Sequence, residues 1–116
     1  MISDYRQIPK FTTQLSNSMH NHAIDELKLA LKDFPDRNWI VICHHIPQNR
    51  LILDKYKTSP LNNAFASDIP FMDNERIKAV VFGHTHTPSV QGKYYSNPIG
   101  YPGENEEVDF LKVFNA

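Results

Sequence analysis

Glycine is missing from the first 82 residues of this chain, and all four glycines fall between Gly83 and Gly103. Because glycine adopts positive φ angles without steric cost, tight-turn geometry is expected to concentrate in that short segment. Cysteine is almost absent too. The single Cys43 cannot form an internal disulfide, which fits a reducing compartment and predicts a cytoplasmic protein.

Long apolar runs and an excess of one charge are also missing. No apolar stretch approaches the roughly 18–20 residues that cross a bilayer, and the N-terminus lacks the apolar core of a signal peptide. The chain has 12 basic and 13 acidic residues, a net charge of -1. This balance argues against nucleic acid or a membrane surface as a partner.

One long amphipathic helix is predicted over residues 16–34, and residues 1–15 are interpreted as a loop or peripheral arm. Ser16 and Ser18 are the candidate N-caps, and Pro35 ends the helix because the residue before a proline avoids helical geometry. Its apolar residues recur at steps of three and four and form one stripe: Met19, Ala23, Ile24, Leu27, Leu31 and Phe34.

Two short apolar runs, residues 39–43 and 79–82, predict strands. Continuous runs rich in β-branched residues are typical of strands buried on both faces, as in α/β proteins. The remaining predictions are strands at 94–96 and 108–114, short helical segments at 61–69 and 73–78, and a polar, irregular stretch at 48–60. The sequence therefore predicts an α/β fold.

Histidines follow both apolar runs directly: His44 and His45 after the first, His84 and His86 after the second. Open α/β sheets place ligand sites at the C-terminal ends of their strands, and neutral imidazole is the commonest protein ligand for transition metals. A lone histidine at a strand end is usually an ordinary polar residue, but two such pairs indicate a metal site. Gly83 would allow a sharp turn, and in an extended segment His84 and His86 would project to the same side.

Other residues have simpler interpretations. His20 and His22 lie early in the predicted helix and are interpreted as solvated or packing residues. The segment 97–104 holds two prolines and two glycines, which predicts a rigid loop. That loop either connects two strands or shapes the rim of the metal site.

The ordered set of motifs resembles the calcineurin-like metallophosphoesterases. A strand followed by His-His-x-Pro, then about forty residues, then a strand followed by Gly-His-Thr-His, is similar to the last two metal-binding motifs of that family. Asn-Pro-x-Gly-Tyr-Pro-Gly-Glu at 97–104 and the segment 61–68 resemble a bacterial subgroup of it. The resemblance implies a partial four-layer α/β/β/α sandwich, with residues 1–116 forming the C-terminal portion of the domain.

The resemblance also implies site roles. His44 and His84 would bind one divalent ion and His86 a second, with Mn, Fe or Zn suited to such ligands. His45 would line the pocket as the candidate catalytic residue. The substrate mouth would be shaped by Asn97, Gly100 and Tyr101. The two ions would hold a water that attacks the phosphorus of a phosphate ester.

The earlier motifs of the family are missing from the sequence. No aspartate is followed two positions later by histidine, and no glycine is followed by aspartate. The only Asn-His pair, Asn21-His22, follows His20 and not glycine. The motif carboxylates, asparagine and acid histidine are therefore absent, and the chain is expected to be a gene fragment, an internally started product or a truncated chain.

Two functions stay open on these grounds. One is a phosphoesterase fragment that is active only with an N-terminal half supplied in trans. The other is a non-catalytic metal-binding or interaction remnant. A histidine-triad nucleotide hydrolase is discounted because Pro88 stands where the third histidine is needed. Self-association through an exposed apolar face or strand edge is also expected, with Val41 and Val81 as candidates for partly uncovered positions.

Overall fold

The computed structural model describes residues 4–105, 108–109, 112–113 and 115. The chain divides into two compact units, Met1–Arg37 and Asn38–Ala116. The first unit holds two helices, and the second holds a sheet with short helical segments in its connections. This mixture confirms the predicted α/β class.

The first unit consists of helix α1 (Asp4–Gln7) and helix α2 (Thr13–Asp33). The long helix was predicted to begin at residue 16, but Thr12 is its N-cap. Its hydroxyl accepts a hydrogen bond from the Leu15 N–H at 3.1 Å, which satisfies one of the free donors of the first turn. The helix ends just before Pro35, as predicted. Among the described residues, no helix combines the length and apolar character of a membrane span.

The second unit contains a four-stranded sheet of order β1-β2-β4-β3. Its strands are β1 (Trp39–Ile42), β2 (Ile77–Val81), β3 (Ser89–Gln91) and β4 (Tyr94–Ser96). Strand β2 pairs in parallel with both β1 and β4, and β3 pairs antiparallel to β4. The strand β3 was not predicted, because the short polar sequence Ser-Val-Gln becomes a strand only through its pairing with β4.

The prediction that both apolar runs are buried on both faces is wrong for β1. This strand lies at the edge of the described sheet, where Ile40 is 61% exposed and Ile42 is 79% exposed. Strand β2 has a neighbour on each side, and its Val80 is fully buried. The expectation that Val41 and Val81 are partly uncovered holds for Val81, which is half-buried, and is wrong for Val41, which is buried. On β1 the uncovered apolar side chains are Ile40 and Ile42, which alternate with the buried Val41.

The connections between strands differ from the sequence prediction. The segment 61–69 is helical only over α3 (Asn62–Phe65), after which Ala66 bridges Ile46 in parallel. The helical turn predicted at 73–78 lies earlier, as a 3-10 turn at Pro70–Asp73, because β2 already begins at Ile77. The strand predicted at 108–114 falls partly outside the described residues, and its described members 108–109 and 112–113 are not in a strand.

The stretch 48–60, predicted as polar and irregular, supplies part of the core. It forms 3-10 turns at Asn49–Leu51 and Asp54–Tyr56. Leu51 is only 1% exposed and Ile52 only 8%. The three consecutive apolar residues Leu51 to Leu53 in a polar stretch carry no periodic signal, so the burial of Leu51 and Ile52 could not be read from the sequence.

A polar network joins this stretch to the sheet. The buried Gln48 amide donates to the Tyr94 hydroxyl at 3.0 Å, and that hydroxyl donates to Asp73 at 2.7 Å. Arg50 pairs with the same Asp73 oxygen at 2.7 Å. Burial, followed by the bond to Asp73, raises the pKa of Tyr94, and the hydrogen bond from Tyr94 is the main reason why the pKa of Asp73 is lowered. These bonds satisfy polar groups that the core would otherwise leave without partners.

The burial of Leu51 gives a direct test of the core. Leu51→Ala should lower the free energy of unfolding by about 2–5 kcal/mol, because it leaves a cavity in packed surroundings. Leu61→Ala is the matched control. Leu61 is 49% exposed, so its truncation should cost only a few tenths to about 1 kcal/mol. Urea denaturation measures both, and equal costs would contradict the burial of Leu51.

The network predicts a pH-dependent effect of Tyr94→Phe. Near pH 7 the substitution should cost about 1–3 kcal/mol, because the buried Gln48 amide loses an acceptor and Asp73 loses the Tyr94 hydroxyl as a donor. A carboxylate with a lowered folded pKa stabilises above its unfolded pKa and loses that contribution as the pH falls through the folded pKa. The difference from the unsubstituted chain should therefore shrink toward acid pH. Tyr95→Phe, whose hydroxyl bonds the exposed Asn115 carbonyl, should show neither effect.

Candidate metal centre

The parallel pairing of β1 and β2 continues past the ends of both strands. The Cys43 N–H donates to the Val81 carbonyl at 2.9 Å, and the Gly83 N–H donates to the His44 carbonyl at 3.0 Å. These two bonds hold the segment after β1 against the segment after β2. Three of the four histidines that follow the two strands, His44, His45 and His84, are therefore brought together.

Three imidazoles form one cluster at this place: His44, His45 and His84. Their candidate ligand nitrogens all lie within 4.8 Å of one another, and all three residues are exposed. His84 Nδ1 and His44 Nε2 are 3.3 Å apart. The Phe65 ring stacks on His84 with a centroid distance of 5.3 Å, which supports that imidazole from α3. The cluster is thus set by two strands and one short helix.

The turn after β2 is made by histidines and not by Gly83. His84 and His86 have φ angles of 65° and 49°, in the left-handed region, while Gly83 is not among the residues of positive φ. Histidine enters this region more often than most residues, but such strain costs on the order of 1–3 kcal/mol and clusters at functional sites. The segment is therefore not extended, and the expectation that His84 and His86 project alike from an extended chain is wrong.

His86 lies in a second cluster, with Glu104 and Tyr101. Its Nδ1 is 3.0 Å from Glu104 Oε2, and the Tyr101 ring packs against the imidazole at 4.7 Å, edge to face. Glu104 also accepts a hydrogen bond from the Tyr101 N–H at 2.7 Å, which is the main reason why the pKa of its carboxyl is lowered. Glu104 was not among the predicted site residues, and only its place at the end of the 97–104 motif pointed toward it.

A cavity of about 350 Å³ joins the two clusters, since His84 and His86 both line it. Its other walls are largely apolar and include Ile46, Tyr56, Leu61, Phe65 and Tyr101. Of the three residues expected at the substrate mouth, Tyr101 lines this cavity. Asn97 lines a different depression and donates to the Asp109 carbonyl, and Gly100 packs against Glu104 and Asn105.

The three clustered imidazoles fit one transition-metal ion. Nitrogen ligands at about 2.0–2.1 Å from a tetrahedral ion lie roughly 3.3 Å from each other, which is the separation of His44 Nε2 and His84 Nδ1. Within the described part of the chain, no carboxylate joins this group. Cys43 is not in this group either; its thiol donates to the His45 carbonyl at 3.4 Å, and burial raises its pKa to about 11. Among the residues that the structure describes, the candidate ligand set is therefore made of imidazoles alone.

Comparison with protein families gave a match to one family model that covers most of the chain. Residues 2–88 fit the family model of the calcineurin-like phosphoesterases, a stretch that includes both histidine motifs and ends before the loop that carries Glu104. Neither the curated proteins nor the solved structures gave a significant match.

Metal binding should depend on the three clustered histidines. Single alanine variants of His44, His45 and His84 should each weaken Zn²⁺ or Mn²⁺ binding by at least about tenfold, because ligand number sets affinity. His86→Ala should weaken this site less, since its imidazole lies with Glu104. Calorimetric titration measures the affinities, with His22→Ala on the exposed surface of α2 as the control. Undiminished binding by a variant in which His44, His45 and His84 are all replaced by alanine would rule out this site.

Proposed function

Because this chain belongs to the calcineurin-like phosphoesterase family, we propose that it supplies the histidine part of a two-metal site that hydrolyses a phosphate ester. The observation that carries the proposal is the convergence of His44, His45 and His84 beyond the ends of two neighbouring parallel strands. Both histidine motifs lie inside the stretch that matches the family. Imidazole ligands suit Mn, Fe or Zn.

In this proposal the clustered side chains hold the metal and the second cluster extends the site. His44 and His84 offer facing lone pairs to one ion, and His86 serves a second. When bound, the ions would polarise a phosphoryl oxygen and lower the pKa of a bound water. His45 borders both imidazoles: in the chain alone it is the third ligand of the single ion, and in the complete two-metal site it is the candidate for hydrogen bonding to the phosphoryl group. Its ring lies 5.0 Å from that of His44 and 5.1 Å from that of His84.

The cavity between the clusters would receive the organic part of the ester. Its largely apolar walls suit an organic group, and His84 and His86 are among its lining residues. Of the residues proposed for the substrate mouth, Tyr101 is the one that lines this cavity. Asn97 and Gly100 would act on the mouth through the shape of the loop that carries Tyr101.

The proposed two-metal site needs metal ligands that the described residues of this chain do not supply. The sequence has no Asp-x-His, Gly-Asp or Gly-Asn-His motif, and no carboxylate of the described residues joins the three histidines. Two-metal hydrolysis needs both ions held about 3.5–4 Å apart, and a positioned acid typically adds ~10²–10⁴-fold. We therefore propose that hydrolysis needs an N-terminal half supplied in trans and that the chain alone is inactive.

A second candidate function rests on the same observation. A cluster of imidazoles without a carboxylate binds a metal ion but lacks the bridging ligand for a pair of ions. A non-catalytic metal-binding or protein-interaction role would therefore use the same three histidines. The two candidates differ in what happens when the missing ligands are provided.

Phosphatase assays separate these candidates. With Mn²⁺, this chain alone should not turn over p-nitrophenyl phosphate or bis-p-nitrophenyl phosphate measurably. Addition of the N-terminal half of a close relative should restore turnover with the chain but not with its His84→Ala variant, while His20→Ala should behave like the unsubstituted chain.

The outcomes of these assays are distinct. Metal binding without turnover in any mixture would favour the non-catalytic role. Robust metal-dependent turnover by the chain alone, lost in His84→Ala, would show that its own carboxylates, such as Asp68 or Glu104, complete the site.

A further inference from the structure

The loop after β4 holds His86 at two points. Glu104 Oε2 lies 3.0 Å from His86 Nδ1, and Asn105 Nδ2 donates to the His86 carbonyl at 2.7 Å. Asn105 also donates to the Pro98 carbonyl at 3.1 Å, which ties the start of the loop to its end. The imidazole and the backbone of His86 are thus fixed by adjacent residues of one loop.

The carboxylate is itself fixed before it meets the imidazole. Its Oε2 accepts the Tyr101 N–H at 2.7 Å, which orients the side chain and is the first cause of its lowered pKa. A carboxylate is an acceptor only, so the His86 nitrogen that faces it must carry the proton. In a neutral imidazole the other nitrogen, Nε2, then carries the lone pair that a metal ion or a phosphoryl group would meet.

We propose that Glu104 is a positioning residue that holds neutral His86 in the Nδ1–H tautomer and leaves Nε2 as the acceptor at the cavity. The tautomer follows from the geometry alone; only the use of Nε2 as a ligand rests on the proposed phosphoesterase function. The left-handed backbone of His86, at φ 49°, is held by the same loop through Asn105. Both contacts fix the direction in which this imidazole is presented.

Gly100 leaves the space that this arrangement needs. A Cβ at Gly100 would lie 2.7 Å from Glu104 Oε2 and 2.8 Å from Asn105 Nδ2, the two atoms that hold His86. Its φ of +73° is also left-handed. Gly103 has a similar φ of +80°, but a Cβ there would meet nothing within 4 Å. An alanine at either glycine would strain a left-handed backbone, but only an alanine at Gly100 would also displace Glu104 and Asn105. Comparing the two variants therefore separates the two effects.

The test is a measurement of the His86 tautomer in the metal-free chain. Long-range ¹H–¹⁵N NMR correlations at about pH 8 distinguish Nδ1–H from Nε2–H in a neutral imidazole. The unsubstituted chain should show Nδ1–H at His86. Glu104→Ala should shift the population to Nε2–H, the form that free histidine prefers, whereas Glu104→Gln keeps an oxygen acceptor and should retain Nδ1–H.

The glycine pair is the matched control. Gly100→Ala should reproduce the tautomer change of Glu104→Ala, and Gly103→Ala should leave the tautomer as it is, although both variants place an alanine at a left-handed φ. An Nε2–H tautomer in the unsubstituted chain, or an equal response of the two glycine variants, would overturn the proposal.

The design also guards against misfolding and against failure of the proposed function. If Glu104→Ala fails to fold, the glycine variants and Glu104→Gln still decide the result. Because neither metal nor substrate is present, an unfavourable phosphatase assay leaves this measurement unaffected, and the tautomer result leaves the assay unaffected.

Discussion

The parallel pairing of β1 with β2 is the constraint on which the candidate site depends. Parallel strands end at the same edge of a sheet, so residues that follow them are neighbours in space although about forty residues separate them in sequence. Two hydrogen bonds beyond the strands, from Cys43 to Val81 and from Gly83 to His44, fix this alignment. Without that register the imidazoles of His44 and His84 would not face each other.

The connection between these strands carries the burial that supports the pairing. Three residues of this connection are buried in the core: Leu51, Ile52 and Met72. The hydrogen bond from the Gln48 amide to the Tyr94 hydroxyl satisfies a buried donor of the same connection. A parallel pair needs a long crossover, and this crossover is built from short helical turns and not from one long helix. Its α3 also places Phe65 against His84. The connection thus stabilises the sheet and orients the site.

The second histidine motif combines a strained backbone with contacts that hold the strained residues in place. His84 and His86 both occupy the left-handed region, and each is held by neighbours outside its own segment. Phe65 stacks on one imidazole, while Glu104 and Asn105 hold the other residue. Backbone strain of this kind persists only when surrounding contacts fix it. The loop at 98–105 therefore holds the second histidine motif directly and does more than connect two segments.

The sequence by itself determined the long helix, the two strands that precede the histidines, and the family. Each rests on local chemistry: a stripe of apolar residues at helical spacing, short β-branched runs, and motifs in a fixed order. Only the tertiary structure decided the rest, because it depends on contacts that leave no local pattern. The edge position of β1 leaves Ile40 and Ile42 exposed, and the partition of the histidines follows from left-handed turns at His84 and His86. Glu104 meets His86 across 18 residues, a distance at which no periodicity or capping rule connects two side chains.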